Sequence, residues 1–147
     1  MISLRSFQNS DADLLHQNQY PGLNLREISA MIDEWNMKIH DGKRFEMFAV
    51  QADEKTVGSI SLFEHSKSIA SAGIIVFADE RQKGYASAAM ELLTQHARRQ
   101  GYRAIRSQVR SDNTASIRLH EKLGFETDGY VYRNRRDHEV LFYYKFL

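Results

Sequence analysis

Arg81-Gln82-Lys83-Gly84-Tyr85-Ala86 lies between an apolar run, Gly73-Ile74-Ile75-Val76-Phe77-Ala78, and a stretch of helical periodicity from Ser87 to Arg99. A buried strand, a short turn containing glycine and a helix start together make an anion site. The first amides of a helix have no partner within it, and its dipole favours negative charge there. Gly84 lets a ligand approach the backbone closely, and Arg81 and Lys83 add positive charge. The order strand, turn, helix therefore predicts an α/β fold with a phosphate-bearing ligand held at this turn.

Outward from the turn, the rest of the chain reads as one domain over residues 1–147. The 147 residues suffice for a core of their own, and 42% apolar and 27% charged residues describe an ordinary globular chain. Cysteine is absent, which excludes disulfides, thiolate metal sites and a cysteine nucleophile. No apolar run approaches the length of a membrane span and no secretory leader opens the chain, so the expectation is a cytosolic protein without membrane contacts. The net charge of +1 hides an asymmetry. Residues 1–80 carry seven Lys/Arg against twelve Asp/Glu, and residues 81–147 carry thirteen against seven. Either this is chance on a solvated surface, or the acidic half favours a cationic second ligand.

Ile2 to Phe7 alternates as a strand, and Ser10 or Asp11 caps a helix to about Asn18. Ile28, Met31, Ile32, Trp35 and Ile39 recur at helical spacing, so a second helix is expected over Glu27–His40, stopped by Asp41-Gly42. Phe45–Gln51, Thr56–Phe63 and Ile69–Phe77 read as strands. Beyond the turn, Ala86, Ala89, Met90, Leu93 and Ala97 form the buried face of the third helix, with Gly101 as its C-cap. Tyr102–Val109 is a strand, Asn113–Leu123 a helix ended by Gly124, and Tyr130–Arg133 and Val140–Phe146 the last strands. This order predicts a mixed sheet with helices on its faces.

Two blocks carry a resemblance to a known family. The first is Arg81-x-x-Gly84-x-Ala86 after the apolar strand. The second is Asn113-x-x-Ser116-x-x-Leu119-His120-Glu121-Lys122-Leu123-Gly124-Phe125. In this order and spacing they resemble the GNAT superfamily of acetyl-CoA-dependent N-acetyltransferases, closely over residues 56–147 and by element order alone before that. Ala78 departs from the proline common there. The resemblance implies a central twisted mixed sheet of six to seven strands with about four helices. It also implies acetyl-CoA as acyl donor, no metal, and a primary amine on a small molecule or peptide as acceptor. Attack would be direct, in a ternary complex, and homodimers are plausible. P-loop and dinucleotide fingerprints are missing. The scattered arginines lack interleaved aromatics, so a nucleic-acid surface is not expected. A catalytically silent CoA-binding module remains the alternative.

The resemblance implies roles residue by residue. The backbone of Gln82, Lys83, Gly84, Tyr85, Ala86 and Ser87, with Arg81, would hold the pyrophosphate. Ile75 and Val76 would pair with the pantetheine arm, with an amide near Val76 facing the thioester oxygen. Asn113 either contacts the arm or caps its helix; Ser116 belongs to the same block. His120 is expected near the sulfur as acid or proton relay, or else as a solvent-satisfied histidine on a helix face. Glu64, then Glu46, are the candidate bases, each equally readable as a solvated strand-end carboxylate. Trp35 reads as core.

Overall fold

The computed structural model describes all 147 residues. Twelve elements follow in chain order: β1 (Ile2–Ser6), α1 (Ala12–Asn18), α2 (Leu25–Asn36), β2 (Ile39–His40), β3 (Lys43–Ala52), β4 (Lys55–Glu64), β5 (Ile69–Val76), α3 (Tyr85–Arg99), β6 (Ala104–Arg110), α4 (Thr114–Lys122), β7 (Tyr132–Arg133) and β8 (Glu139–Phe146). The strands form one sheet in the order β1-β3-β4-β5-β6-β8-β7, with β2 appended to β3. Every pairing is antiparallel except β5 with β6. That exception follows from α3, a crossover long enough to return the chain in the same direction. No helix is long and apolar enough to cross a membrane.

The helices cover the two sheet faces by the periodicity of their apolar residues. Ala89, Met90, Leu93 and Ala97 of α3 pack with Ile60, Leu62 and Ile105 of the sheet and with Leu123 and Phe125 at the end of α4. Leu15, Ile28 and Ile32 of α1 and α2 pack on the opposite face around Phe7, Ala49 and Phe77. Burying each such large side chain contributes about 1.5–3 kcal/mol. Trp35 is half-buried and leans on Phe7 and Tyr20, with ring centroids 5.3 and 6.3 Å apart.

The second helix departs from its expected length. It starts on a capping box of Asn24 and Glu27 and ends at Asn36, not His40. Lys38 turns to φ 60°, and Asp41 and Gly42, at φ 50° and 74°, make the tight turn of a hairpin between β2 and β3. Asp41-Gly42 is thus a hairpin signal rather than a helix stop. Ile39, which fits the helical spacing, stands 62% exposed on that hairpin.

Two features set the geometry of the sheet centre. β5 and β6 pair only from Ile69/Ala104 to Ala72/Ser107, after which they diverge. The part of β5 beyond, Gly73–Val76, keeps its pairing with β4 but has none on the β6 side. Behind it, Gly58 lies opposite Val76. A Cβ there would stand 2.2 Å from the Ile75 carbonyl oxygen and 3.0 Å from the Val76 Cα. Gly58→Ala is therefore expected to lower the unfolding free energy by about 1–3 kcal/mol, the cost of overpacking. Gly73→Ala, whose Cβ would meet only the movable Ser61 hydroxyl at 3.3 Å, is expected to cost distinctly less. Urea denaturation of the two variants beside wild type measures both.

Candidate functional site

The divergence of β5 from β6 leaves backbone groups without partners. Phe77 donates its N–H to the Val57 carbonyl at 2.8 Å. Alternation along the strand then points the Ile75 and Gly73 amides at β4, and the Val76 and Ile74 amides into the gap. Val76 also turns its carbonyl to the gap, where Arg81 Nε donates to it at 3.1 Å. Ile75 presents its side chain to solvent, 44% exposed.

The chain leaves β5 through a short 3₁₀ turn, Ala78–Glu80, and enters α3 over Gln82 and Gly84, both left-handed at φ 63° and 81°. Gly84 occupies the N-cap position and supplies no side chain to cap the helix. The first helical bond there is Ala88 N–H to the Gly84 carbonyl, at 3.3 Å, and no protein group accepts from the amides of Gln82 to Ser87. This is a nest of unpartnered donors at a positive helix end, the geometry that suits a pyrophosphate.

Gap and nest open into one cleft of about 640 Å³. Ile74, Ile75 and Val76 form one wall, Arg81, Gln82 and Gly84–Ser87 the head, and Asn113, Ala115, Ser116, Leu119 and Lys122 of α4 the other wall. Lys83 is not among its lining residues; its ammonium sits 3.4 Å from Glu80. Glu80 is the one acid lining the cleft, held from beneath by Lys55 and Lys83, and the Lys55 hydrogen bond leads in holding its carboxyl below the ordinary value. Asn113 fulfils its capping role, its side chain accepting from Ser116 N–H at 3.1 Å, and it also lines the cleft.

The remaining expected residues lie elsewhere. His120 does not reach the cleft wall or solvent. It is 3% exposed, its ring 5.0 Å from that of Phe125 and 5.7 Å from that of Tyr143. Its Nδ1 meets the Ser116 carbonyl at 2.7 Å and its Nε2 has no partner. Burial pushes the imidazole below its usual value, offset in part by the Ser116 carbonyl. Glu64 sits opposite Ala70, while Val76 is opposite Gly58, six residues away along β4. At ~3.3 Å per residue that is about 20 Å. Glu64 accepts there from the Tyr102 hydroxyl at 3.0 Å, and burial, then this carboxylate, drives the phenol up to about 12. Glu46, 4% exposed, is bound to His96 at 2.9 Å and Arg44 at 3.2 Å. Neither carboxylate stands at the gap, because strand register puts Glu64 at the wrong end of β4 and α3 covers Glu46.

Sequence reading missed Ile74, Leu119, Lys122 and Glu80 in the lining, and Gly58 behind it. A glycine inside the strand Thr56–Phe63 is the signal for Gly58, since it marks close backbone approach. Ile117 and Leu123 place His120 near the apolar side of α4, a signal for its burial.

The acetyltransferase (GNAT) domain profile matches residues 2–126. The chain belongs to the GNAT acetyltransferase family. Its sequence is 32% identical over 99 residues to the SPbeta prophage-derived uncharacterized N-acetyltransferase YokL of Bacillus subtilis, covering 65% of this chain and 56% of that one. It is 36% identical over 67 residues to an L-methionine sulfoximine/L-methionine sulfone acetyltransferase of Pseudomonas aeruginosa, covering 46% and 39%. These matches span little over half, and two fifths, of the relatives' own lengths. In three dimensions the chain is similar to RimL, a ribosomal L7/L12 alpha-N-protein acetyltransferase in complex with coenzyme A. The TM-score is 0.85 at 19% identity, over 99% of this chain and 94% of the other. The GNAT fold expected from the two blocks is the fold observed, with β2 added to a seven-strand path.

The turn and the buried histidine each yield a test. A side chain at Gly84 has room, with nothing within 4 Å, so the cost of replacement is the left-handed backbone. Forcing an L-residue there costs about 1–2 kcal/mol, most for β-branched residues, and about 1.4 kcal/mol is tenfold in affinity. Gly84→Val is expected to weaken acetyl-CoA binding about tenfold or more by calorimetry, and Gly84→Asn, which tolerates this conformation, much less. For His120 the folded value lies below the unfolded 6.5. Above that pH both states are neutral and its contribution is complete. As pH falls through 6.5 the unfolded chain takes a proton that the folded chain refuses, so stability drops until the folded value is passed. His120→Phe, which keeps the aromatic packing, is expected to lose less stability between pH 7.5 and 5.5 than wild type in urea melts.

Proposed function

We propose that this chain is an N-acetyltransferase that takes acetyl-CoA as donor and a primary amine, on a small molecule or peptide, as acceptor. The observation that supports this most is the continuity of two unsatisfied backbone surfaces in one cleft: the free edge of β5 and the bare amides of Gln82–Ser87. An elongated ligand with an amide-bearing arm and a pyrophosphate matches that pattern group for group. When bound, acetyl-CoA supplies an activated thioester carbonyl.

The protein's part is positioning. Gln82–Ser87 and Arg81 hold the phosphates, and the amides of Ile74 and Val76 donate into the gap, the latter toward charge developing on a carbonyl oxygen. Asn113 and Ser116 flank the arm. A covalent acyl-serine is disfavoured at Ser116. Its hydroxyl lies 3.4 Å from His120 Nδ1, but that nitrogen faces the Ser116 carbonyl at 2.7 Å, so its proton is committed there and it offers the serine no lone pair. Direct attack by the amine follows. His120 acts on the site through Ser116, whose carbonyl it holds. Self-association is part of the same reading, supported by Tyr130, Val131 and Tyr132, exposed together on the segment that leads into β7.

The test is release of CoA thiol with a panel of alkylamines, polyamines, amino acids and peptides. Turnover with intersecting initial-velocity lines is the expected result. Parallel lines would overturn direct attack, and acetyl-CoA binding without turnover on any amine would leave the silent module instead.

A further inference from the structure

The donor cleft lies on the α3 and α4 side, so an acceptor meets the gap from the other sheet face, where α1 and α2 lie. Register shows where that helical cover ends. Ser59 of β4 stands directly opposite Ile75 of β5, so their side chains share a face, with Cβ atoms about 5 Å apart. Yet Ser59 is 3% exposed and Ile75 44%. The border between covered and open sheet runs between them, beside Val76 and the gap.

Gln19, the residue that closes α1, forms that border. The Ser59 hydroxyl donates to its side-chain oxygen at 3.0 Å, and its side-chain nitrogen donates in turn to the Tyr20 hydroxyl at 3.0 Å. The relay has a direction. Tyr20 oxygen is met by the Gln19 donor, and no protein group accepts from the Tyr20 O–H. A phenol so placed has one hydrogen bond left to give. Its ring is half-buried, 6.3 Å from that of Trp35. Burial, offset in part by Gln19, raises the phenol above its ordinary value, so the proton stays on oxygen at neutral pH. One amide, ~2.3 Å from oxygen to nitrogen, joins the two bonds, so the Tyr20 hydroxyl lies within about 8 Å of the Ser59 hydroxyl. The near side of the gap is one strand spacing, about 5 Å, beyond Ser59, which puts it at most about 13 Å from the Tyr20 hydroxyl.

We propose that Tyr20, aimed by Gln19 and Ser59, is a specificity-determining residue whose O–H donates to an oxygen of the acceptor, a carbonyl, ether or hydroxyl held within about ten bonds of the attacking amine. This rests on the acetyltransferase reading above and adds a second group that its acceptor carries. Tyr20 touches the acceptor; Gln19 and Ser59 position Tyr20.

The experiment uses primary amines in pairs of equal length, one member with a methylene replaced by an ether oxygen or a terminal methyl by a hydroxyl, the oxygen being moved stepwise away from the amine. Acetyl transfer and calorimetric binding to CoA-loaded protein are both measured. In at least one pair the oxygen-bearing amine is expected to lead by about two- to tenfold in kcat/KM, the worth of one neutral hydrogen bond. Tyr20→Phe is expected to bring that ratio to one through KM, with kcat and acetyl-CoA affinity kept. Gln19→Glu gives the phenol an inward acceptor and turns its proton away from the acceptor, so it is expected to erase the same ratio, and adding Tyr20→Phe to it to change nothing more. Wild type without an oxygen preference at any spacing overturns the proposal. So does a Tyr20→Phe variant that weakens both members of a pair alike, which is the mark of a structural role, or a Gln19→Glu variant that keeps the preference. If no amine turns over, the acetyltransferase reading fails by itself, and the calorimetry still decides: an oxygen preference in binding that Tyr20→Phe removes supports the contact, and none in wild type overturns it.

Discussion

The pairing of β5 with β6 stops after four residues, and the candidate site depends on that stop. Parallel strands joined by a helix ordinarily bury their whole length as a hydrogen-bonded ladder. Here the ladder ends at Ala72 and Ser107, and the divergence leaves donors of Ile74 and Val76 facing a gap. Unmet backbone groups cost free energy unless water or a ligand meets them. The gap is held open from both sides: Gly58 lets β4 close up behind Ile75 and Val76, and α4 packs across the far wall through Ile117, Leu119 and Leu123.

Charge is arranged to keep most ionic groups out of the chemistry. Glu80 is tied to Lys55 and Lys83 under the turn, Glu46 to Arg44 and His96 beneath α3, and Asp11 to Arg5 at 2.8 Å near the N-terminal strand. The donors aimed at the cleft are instead backbone amides, whose positions are set by the fold and not by side-chain rotamers. A site made of main chain needs few particular side chains, and the fold that sets it is shared with RimL at 19% identity.

This division also explains what the sequence disclosed. The turn at Gly84, the capping by Asn113 and the burial of Ala89, Met90 and Leu93 are local properties, set by residues within a few positions of one another, and they are legible without a structure. Glu64 and Glu46 were not. Their surroundings depend on which residue of β4 faces which residue of β5, and on what α3 covers, and pairings between distant segments leave no mark in a short window. His120 is an intermediate case. Its helix was clear, but one step of 100° separates the cleft side, where Leu119 stands, from the core side, where His120 packs on Phe125. The hairpin at Asp41-Gly42 was hidden by Ile39, whose spacing continues the pattern of α2 although its chain has already turned.

The unfinished edge of β5 reaches beyond catalysis. A bare strand edge invites another chain to add a strand to it, and Gly73–Val76 offers a short one at the centre of the sheet. A donor lying along that edge occupies the same hydrogen bonds that an intruding strand would take. It also favours the folded state by mass action, by about 2.7 kcal/mol at a hundred times its dissociation constant. Occupancy of that edge then steadies the fold as well as filling the cleft.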